Sequence, residues 1–149
     1  MHTFQTTTLI KRPLQEVFSF FSRAENLNEI TPPMLKFKIL SPLPIQMKKG
    51  TLIDYSIVLH GVPFKWKTKI TDWNPGVSFV DEQLKGPYNV WRHEHVFKAE
   101  GEFTRMFDTV HYQSPGWIFE PLVDKFFVRK RVEEIFAFRE QKLKQLFPG

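Results

Sequence analysis

Val62-Pro63-Phe64-Lys65-Trp66-Lys67-Thr68-Lys69-Ile70-Thr71-Asp72-Trp73 is the stretch whose pattern decides the fold. Successive side chains of an extended chain point to opposite faces, so Phe64, Trp66, Thr68 and Ile70 share one side and Lys65, Lys67 and Lys69 the other. Rings on one face and ammonium groups on the other predict a strand of an antiparallel sheet, packed on one side and wet on the other. Asn74-Pro75-Gly76 ends it with turn chemistry.

Strand patterns continue in both directions. Upstream, Thr51 to Leu59 places Ile53, Tyr55, Ile57 and Leu59 on one face, and Lys36 to Leu40 is a shorter run broken by Pro42 and Pro44. Downstream lie Val77 to Leu84, Asn89 to Lys98 and Phe103 to Tyr112. Their connections, Lys85-Gly86-Pro87 and Glu100-Gly101-Glu102, are short enough for hairpins. The Thr-rich segment His2 to Ile10 reads as a first strand.

Pro13 then suits the first turn of a helix, with Leu14, Val17, Phe18 and Phe21 at helical spacing. Ala24 to Ile30 adds a second short helix before Thr31-Pro32-Pro33. Beyond Ser114-Pro115-Gly116 the apolar period changes. Leu122, Val123, Phe126, Phe127, Val132, Ile135, Phe136, Leu143 and Leu146 recur at three- and four-residue intervals, which predicts one long amphipathic helix. The chain is therefore expected to be an α+β domain over residues 1–149: a curved seven-stranded antiparallel sheet wrapped around a long C-terminal helix, with two short helices after strand one.

The chain has no cysteine, which excludes disulfides, thiolate metal sites and cysteine nucleophiles and fits a reducing, cytoplasmic compartment. No apolar run follows a basic start, and none is long enough to span a bilayer. Sixteen phenylalanines are more ring surface than closing a small core requires, and a ring-lined cavity would use it. Much of the formal charge of +5 rides on the terminal helix, where seven Lys/Arg between Leu122 and Leu146, Arg139 among them, face four acids. Glu133, Glu134 and Glu140 dilute the Arg129-Lys130-Arg131, Lys142 and Lys144 cations, the pattern of a solvated helix face. No recognition motif accompanies them, so nucleic acid is not an expected partner, and the same electrostatics leave room for transient contact with a membrane surface.

Alternation assigns the inner face of the later strands. Trp91, His93, His95 and Phe97 lie together; Met106, Val110 and Tyr112 bring Asp108 inward; and Phe79, Asp81 and Gln83 share a side. The expected cavity is thus mainly apolar, lined by Tyr55, Ile57, Phe64, Trp66, Phe79, Trp91, Met106, Phe126 and Phe127, with a polar minority of Asp81, Gln83, His93, His95, Asp108 and Tyr112. That mixture suits a hydrophobic guest with one oriented polar group. His93 and His95, at i and i+2, could meet at one metal with Asp108 or Asp81, or act with Asp108 in acid/base catalysis, or simply pair within a polar core. No metal or cofactor is assigned.

The run Phe79-Val80-Asp81-Glu82-Gln83-Leu84-Lys85-Gly86-Pro87-Tyr88, followed by Trp91-Arg92-His93-Glu94-His95-Val96-Phe97 and Thr104-Arg105-Met106-Phe107-Asp108-Thr109-Val110, resembles the SRPBCC superfamily. This superfamily includes START lipid-transfer domains, birch-pollen-allergen-like proteins and polyketide cyclases. The run resembles in particular small bacterial members with the DEQ...GPY...W.H.H.F pattern, which also occur fused to sugar-nucleotide-epimerase-like domains. The resemblance implies a helix-grip fold with a deep cavity between sheet and terminal helix, holding a lipid, polyketide or isoprenoid-like molecule. Two functions follow from it: a binding or carrier module, or a cyclase/dehydratase-type enzyme using His93, His95 and Asp108.

Overall fold

A computed structural model describes residues 1–148. Its seven strands are β1 (His2–Ile10), β2 (Lys38–Ile39), β3 (Leu52–Leu59), β4 (Val62–Asn74), β5 (Ser78–Lys85), β6 (Val90–Glu100) and β7 (Phe103–Gln113). They form one antiparallel sheet in the order β1-β7-β6-β5-β4-β3-β2. Five of the six adjacent pairs are sequence neighbours, and β1 closes the far edge against β7 in full register from His2↔Tyr112 to Ile10↔Thr104. Two register shifts between β4 and β5, at Lys67/Thr68 and Ile70/Asp72, bend the long central strands. The sheet curls toward its apolar face.

Helix α1 (Leu14–Phe21) covers one end of that face, burying Val17, Phe18 and Phe21 against Phe79, Phe97 and Met106. The second expected helix is a 3-10 turn, Ala24–Asn28, and another such turn, Pro33–Leu35, follows Pro32. Strand β2 is only two residues long, because Lys36 takes a left-handed backbone (φ 47°) and prolines follow closely. The expected unbroken terminal helix is likewise modified. A 3-10 turn (Trp117–Phe119) leads into α2 (Glu120–Val123), a single π turn (Asp124–Val128) and then α3 (Arg129–Leu146). Glu120, Asp124 and Val132 are all buried, so the inner side continues through the wider turn.

Buried acids explain how this irregular start is held. Tyr112 Oη donates to Asp124 Oδ1 at 2.7 Å, and His2 Nδ1 lies 3.4 Å from Asp124 Oδ2. Glu120 accepts from His2 Nε2 and from the Ser114 backbone N–H, each at 2.8 Å. Burial works against the Glu120 charge, but His2 and the backbone N–H outweigh it and hold the carboxyl below its ordinary range. Together these bonds pin the head of the terminal helix to β1 and β7. Tyr112→Phe is expected to lower unfolding free energy by about 2 kcal/mol, since a hydrogen bond to a charged acceptor is lost; urea denaturation measures it.

Candidate functional site

Between the curled sheet and the helices lies a cavity of about 140 Å³. Ile53, Tyr55, Ile57 and Leu59 of β3, with Trp66, Thr68 and Ile70 of β4, form its floor. Tyr55 and Trp66 are cross-strand partners whose rings stack at 5.6 Å, and Trp91 meets Trp66 edge-on at 5.6 Å. Phe20, Phe21 and Leu27 close one side, and Ile135 and Phe136 of α3 form the roof.

The polar end is a consequence of strand register. His95 is paired with Phe79 on β5 and with Asp108 on β7, while His93 faces Asp81 across β5. Alternation turns all of them inward, and the rings of Phe79, His95 and His93 form one stack, with centroids 4.0 Å and 3.6 Å apart. His95 Nε2 donates to Asp81 Oδ2 at 2.7 Å and His93 Nε2 to Asp108 Oδ1 at 2.7 Å. His95 Nδ1 lies 3.3 Å from Asp108 Oδ1 without the alignment of a hydrogen bond. From the roof, Arg139 brings Nη1 to 3.8 Å from the same oxygen, an ion pair rather than a hydrogen bond, and lays its guanidinium 5.0 Å over the Phe136 ring.

The electrostatics separate the two imidazoles. Burial and the neighbouring His95 push His93 down to about 4, so its ring is neutral at pH 7. Burial disfavours charge on His95 as well, but the Asp108 and Asp81 carboxylates prevail and raise it. Burial opposes ionisation of both acids, and the histidines outweigh it, lowering Asp81 and Asp108. The two carboxylates thus face the Arg139 guanidinium and a His95 whose proton affinity they raise. Several polar atoms of this end still lack a hydrogen-bond partner: Asp108 Oδ2, His95 Nδ1, and Nε and Nη1 of Arg139, with Trp66 Nε1 on the floor. Buried polar atoms are rarely left so.

Asp81, His93 and His95 each offer a ligand-type atom, all within 4.8 Å of one another, a spacing on which a divalent ion could close. Each imidazole Nε2 is bonded to a carboxylate, which leaves Nδ1 as the second ring nitrogen of each histidine.

Of the residues expected at the cavity, Tyr55, Ile57, Trp66, Phe79, Asp81, Trp91, His93 and His95 line it. Asp108 stands directly behind the histidines, 1% exposed. Others lie elsewhere. Met106 is buried under α1, and Tyr112 holds Asp124. Gln83 donates to the Tyr88 carbonyl at 2.6 Å and accepts from the Tyr88 N–H at 3.2 Å, so it closes the β5–β6 turn. Phe64 packs near the β3–β4 tip, outside the cavity lining. Phe126 and Phe127 are more than half exposed, on the side of the helix opposite the stripe of Val132, Phe136 and Leu143.

Arg139 is the principal residue that charge counting misassigns. It belongs by that count to the surplus cations of the helix, yet it is buried, three residues after Phe136 and four before Leu143 on the inner stripe. That spacing is a usable signal. Tyr88 also joins the wall, from a turn whose sequence carries no sign of it.

Comparison with known proteins agrees with this geometry. No curated protein matches the sequence significantly. Among solved structures, the protein TTHA0849 of Thermus thermophilus is similar at TM-score 0.68 and 20% identity, over 97% of this chain and 99% of that one. A START superfamily protein of Mycobacterium smegmatis gives TM-score 0.72 at 15% identity, covering 98% and 99%. A nucleoside-diphosphate sugar epimerase of Corynebacterium glutamicum gives 0.70 at 19%, covering 95% of this chain but 28% of that one. At such identities these likenesses establish the helix-grip fold alone. The sequence profile described as polyketide cyclase / dehydrase and lipid transport matches residues 10–138. The chain therefore belongs to the polyketide cyclase / dehydrase and lipid transport family of the SRPBCC superfamily.

Proposed function

We propose that the chain, acting as one ligand-binding domain over residues 1–149, encloses a compact hydrophobic molecule bearing one neutral polar group. The observation that carries this reading is the pairing of a small ring-lined cavity with a polar end whose atoms lack partners. A cavity of about 150 Å³ in a protein interior takes a guest the size of benzene. The volume here favours a monocyclic aromatic or a short isoprenoid-like chain over an extended lipid. Because two carboxylates already face Arg139 and a His95 biased toward its protonated form, a guest bringing its own charge would add an unpaired charge to a largely buried site, whereas a carbonyl or hydroxyl could accept from Arg139 and His95. A cysteine-free carrier of this kind is suited to the cytoplasm.

p-Cresol and toluene, matched in size and differing by a hydroxyl, test the reading by calorimetric titration. p-Cresol is expected to bind about tenfold more tightly, the value of one hydrogen bond in a buried site. Arg139→Met should erase that difference while leaving toluene binding within about twofold. Equal affinity of the wild-type protein for both would remove the role of the polar end.

A second reading is favoured by the split between the histidines. His95, whose proton affinity is raised, and neutral His93 would offer a proton donor and a proton acceptor to one guest, which is what a cyclase or dehydratase needs. Turnover of a hydroxy-ketone that survives in the wild type and disappears in His93→Gln, with binding retained, would support it.

A further inference from the structure

Six large apolar side chains, Trp117, Ile118, Phe119, Leu122, Phe126 and Phe127, are each more than half exposed, and all lie on the segment leading into α3. Trp117 is 85% exposed. Its backbone is held in the left-handed region (φ 52°) behind Gly116 (φ 118°), a conformation that costs a bulky residue energy and projects the indole outward. Soluble surfaces seldom concentrate so much ring area without using it.

Charge selects what it meets. Between Trp117 and Lys130 the acids are Glu120 and Asp124, and both are turned inward onto His2, Ser114 and Tyr112. The outer side of this segment therefore displays rings, aliphatic groups and cations without a carboxylate among them. Arg129 pairs with Glu133 at 3.6 Å, one turn further on. Lys125 and Lys130 are exposed and form no ion pair among the described residues; the Lys125 ammonium sits 5.5 Å from the centre of the Phe126 ring. The cores of protein–protein interfaces are depleted in lysine. Tryptophan and phenylalanine fringed by lysine and arginine are instead the composition of helices that lie in the headgroup region of anionic membranes.

We propose that residues 117–130 dock this protein on an anionic phospholipid surface, with Trp117, Phe126 and Phe127 inserted among the headgroups and Lys125 and Lys130 at the phosphates. The contact expected from helix charge is thereby relocated from the face of α3 to its N-terminal approach, where an apolar wedge accompanies the cations. The patch also adjoins the cavity wall. His60 at the β3–β4 tip bonds the Phe127 carbonyl (3.1 Å), and Val128 packs with Leu35, Leu59 and Trp66. Docking is independent of any guest, so it can be tested apart from the binding function.

Co-sedimentation of the full chain with phosphatidylcholine vesicles, with and without 30 mol% phosphatidylglycerol, provides the test. Binding is expected only to the anionic vesicles and should weaken with added salt. Each lysine near such a surface contributes about a fivefold gain, so Lys125→Gln with Lys130→Gln should weaken binding about 25-fold. Trp117→Ser, Phe126→Ser and Phe127→Ser together should abolish it with the unfolding midpoint unchanged, because these side chains are exposed. Failure of the wild-type protein to bind anionic vesicles, or equal binding by the triple variant, would overturn the proposal. So would a wild-type dimer in analytical ultracentrifugation that the triple variant converts to monomer, which would assign the patch to a second copy.

Discussion

Asp108→Ala is expected to lower the unfolding free energy by about 3–5 kcal/mol, the cost of removing one partner from a buried ionic cluster. Asp108 is 1% exposed and accepts from His93, while His95 Nδ1 and Arg139 Nη1 stand within 3.3 Å and 3.8 Å of the same oxygen. Without the carboxylate, the buried Arg139 guanidinium loses its counter-charge, and His93 loses its acceptor. For a chain of this length the thermal midpoint should fall by about 6–20 °C. Asp81→Ala should cost about 1 kcal/mol, because its side chain is 19% exposed and water can replace it beside His95. Urea denaturation with unchanged dependence on denaturant distinguishes the two. A loss below about 1 kcal/mol for Asp108→Ala would mean that water reaches the cluster and that the charges are not held dry.

The legibility of this cluster from sequence has a specific limit. Period-two alternation places His93, His95, Asp108 and Asp81 on one face of three neighbouring strands, and antiparallel pairing brings them together. The same alternation carries Met106 and Tyr112 inward correctly, but inward is not the same as cavity-lining. Whether an inner residue meets a guest, α1 or the head of α3 depends on its height along the strand, which a two-sided pattern does not encode. The terminal segment departs from expectation for another reason. Phe127 and Phe126 stand five and six positions before Val132, on the far side of the 3.6-residue period that Val132, Phe136 and Leu143 define, so ring content suggests cavity lining where the period points outward. Arg139 is hidden when net charge is counted along the chain instead of around the helix. Its position between Phe136 and Leu143 holds the answer.

The two histidines should impose opposite pH dependences on stability, with a maximum near pH 6.5. His93 is lowered on folding from an ordinary 6.5 to about 4, so below pH 6.5 the unfolded chain takes up a proton that the folded site refuses. Its contribution is complete above pH 6.5 and is lost as pH falls toward 4, a decline of about 3 kcal/mol over that window. His95 is raised on folding, so its contribution is complete below pH 6.5 and is lost as pH climbs through its folded value. Asp108 and Asp81, both lowered, add stability above about pH 4 that disappears under stronger acid. The acid limb between pH 6.5 and 4 is therefore assigned chiefly to His93. His93→Gln, which keeps a side-chain amide to donate toward Asp108, should flatten that limb while preserving the alkaline one; His95→Gln should do the reverse. Unfolding free energies from urea curves at half-unit pH intervals resolve the two limbs. A wild-type profile flat from pH 5 to 8 would show that neither ring changes its proton affinity on folding, and the opposite shifts assigned to His93 and His95 would fall with it.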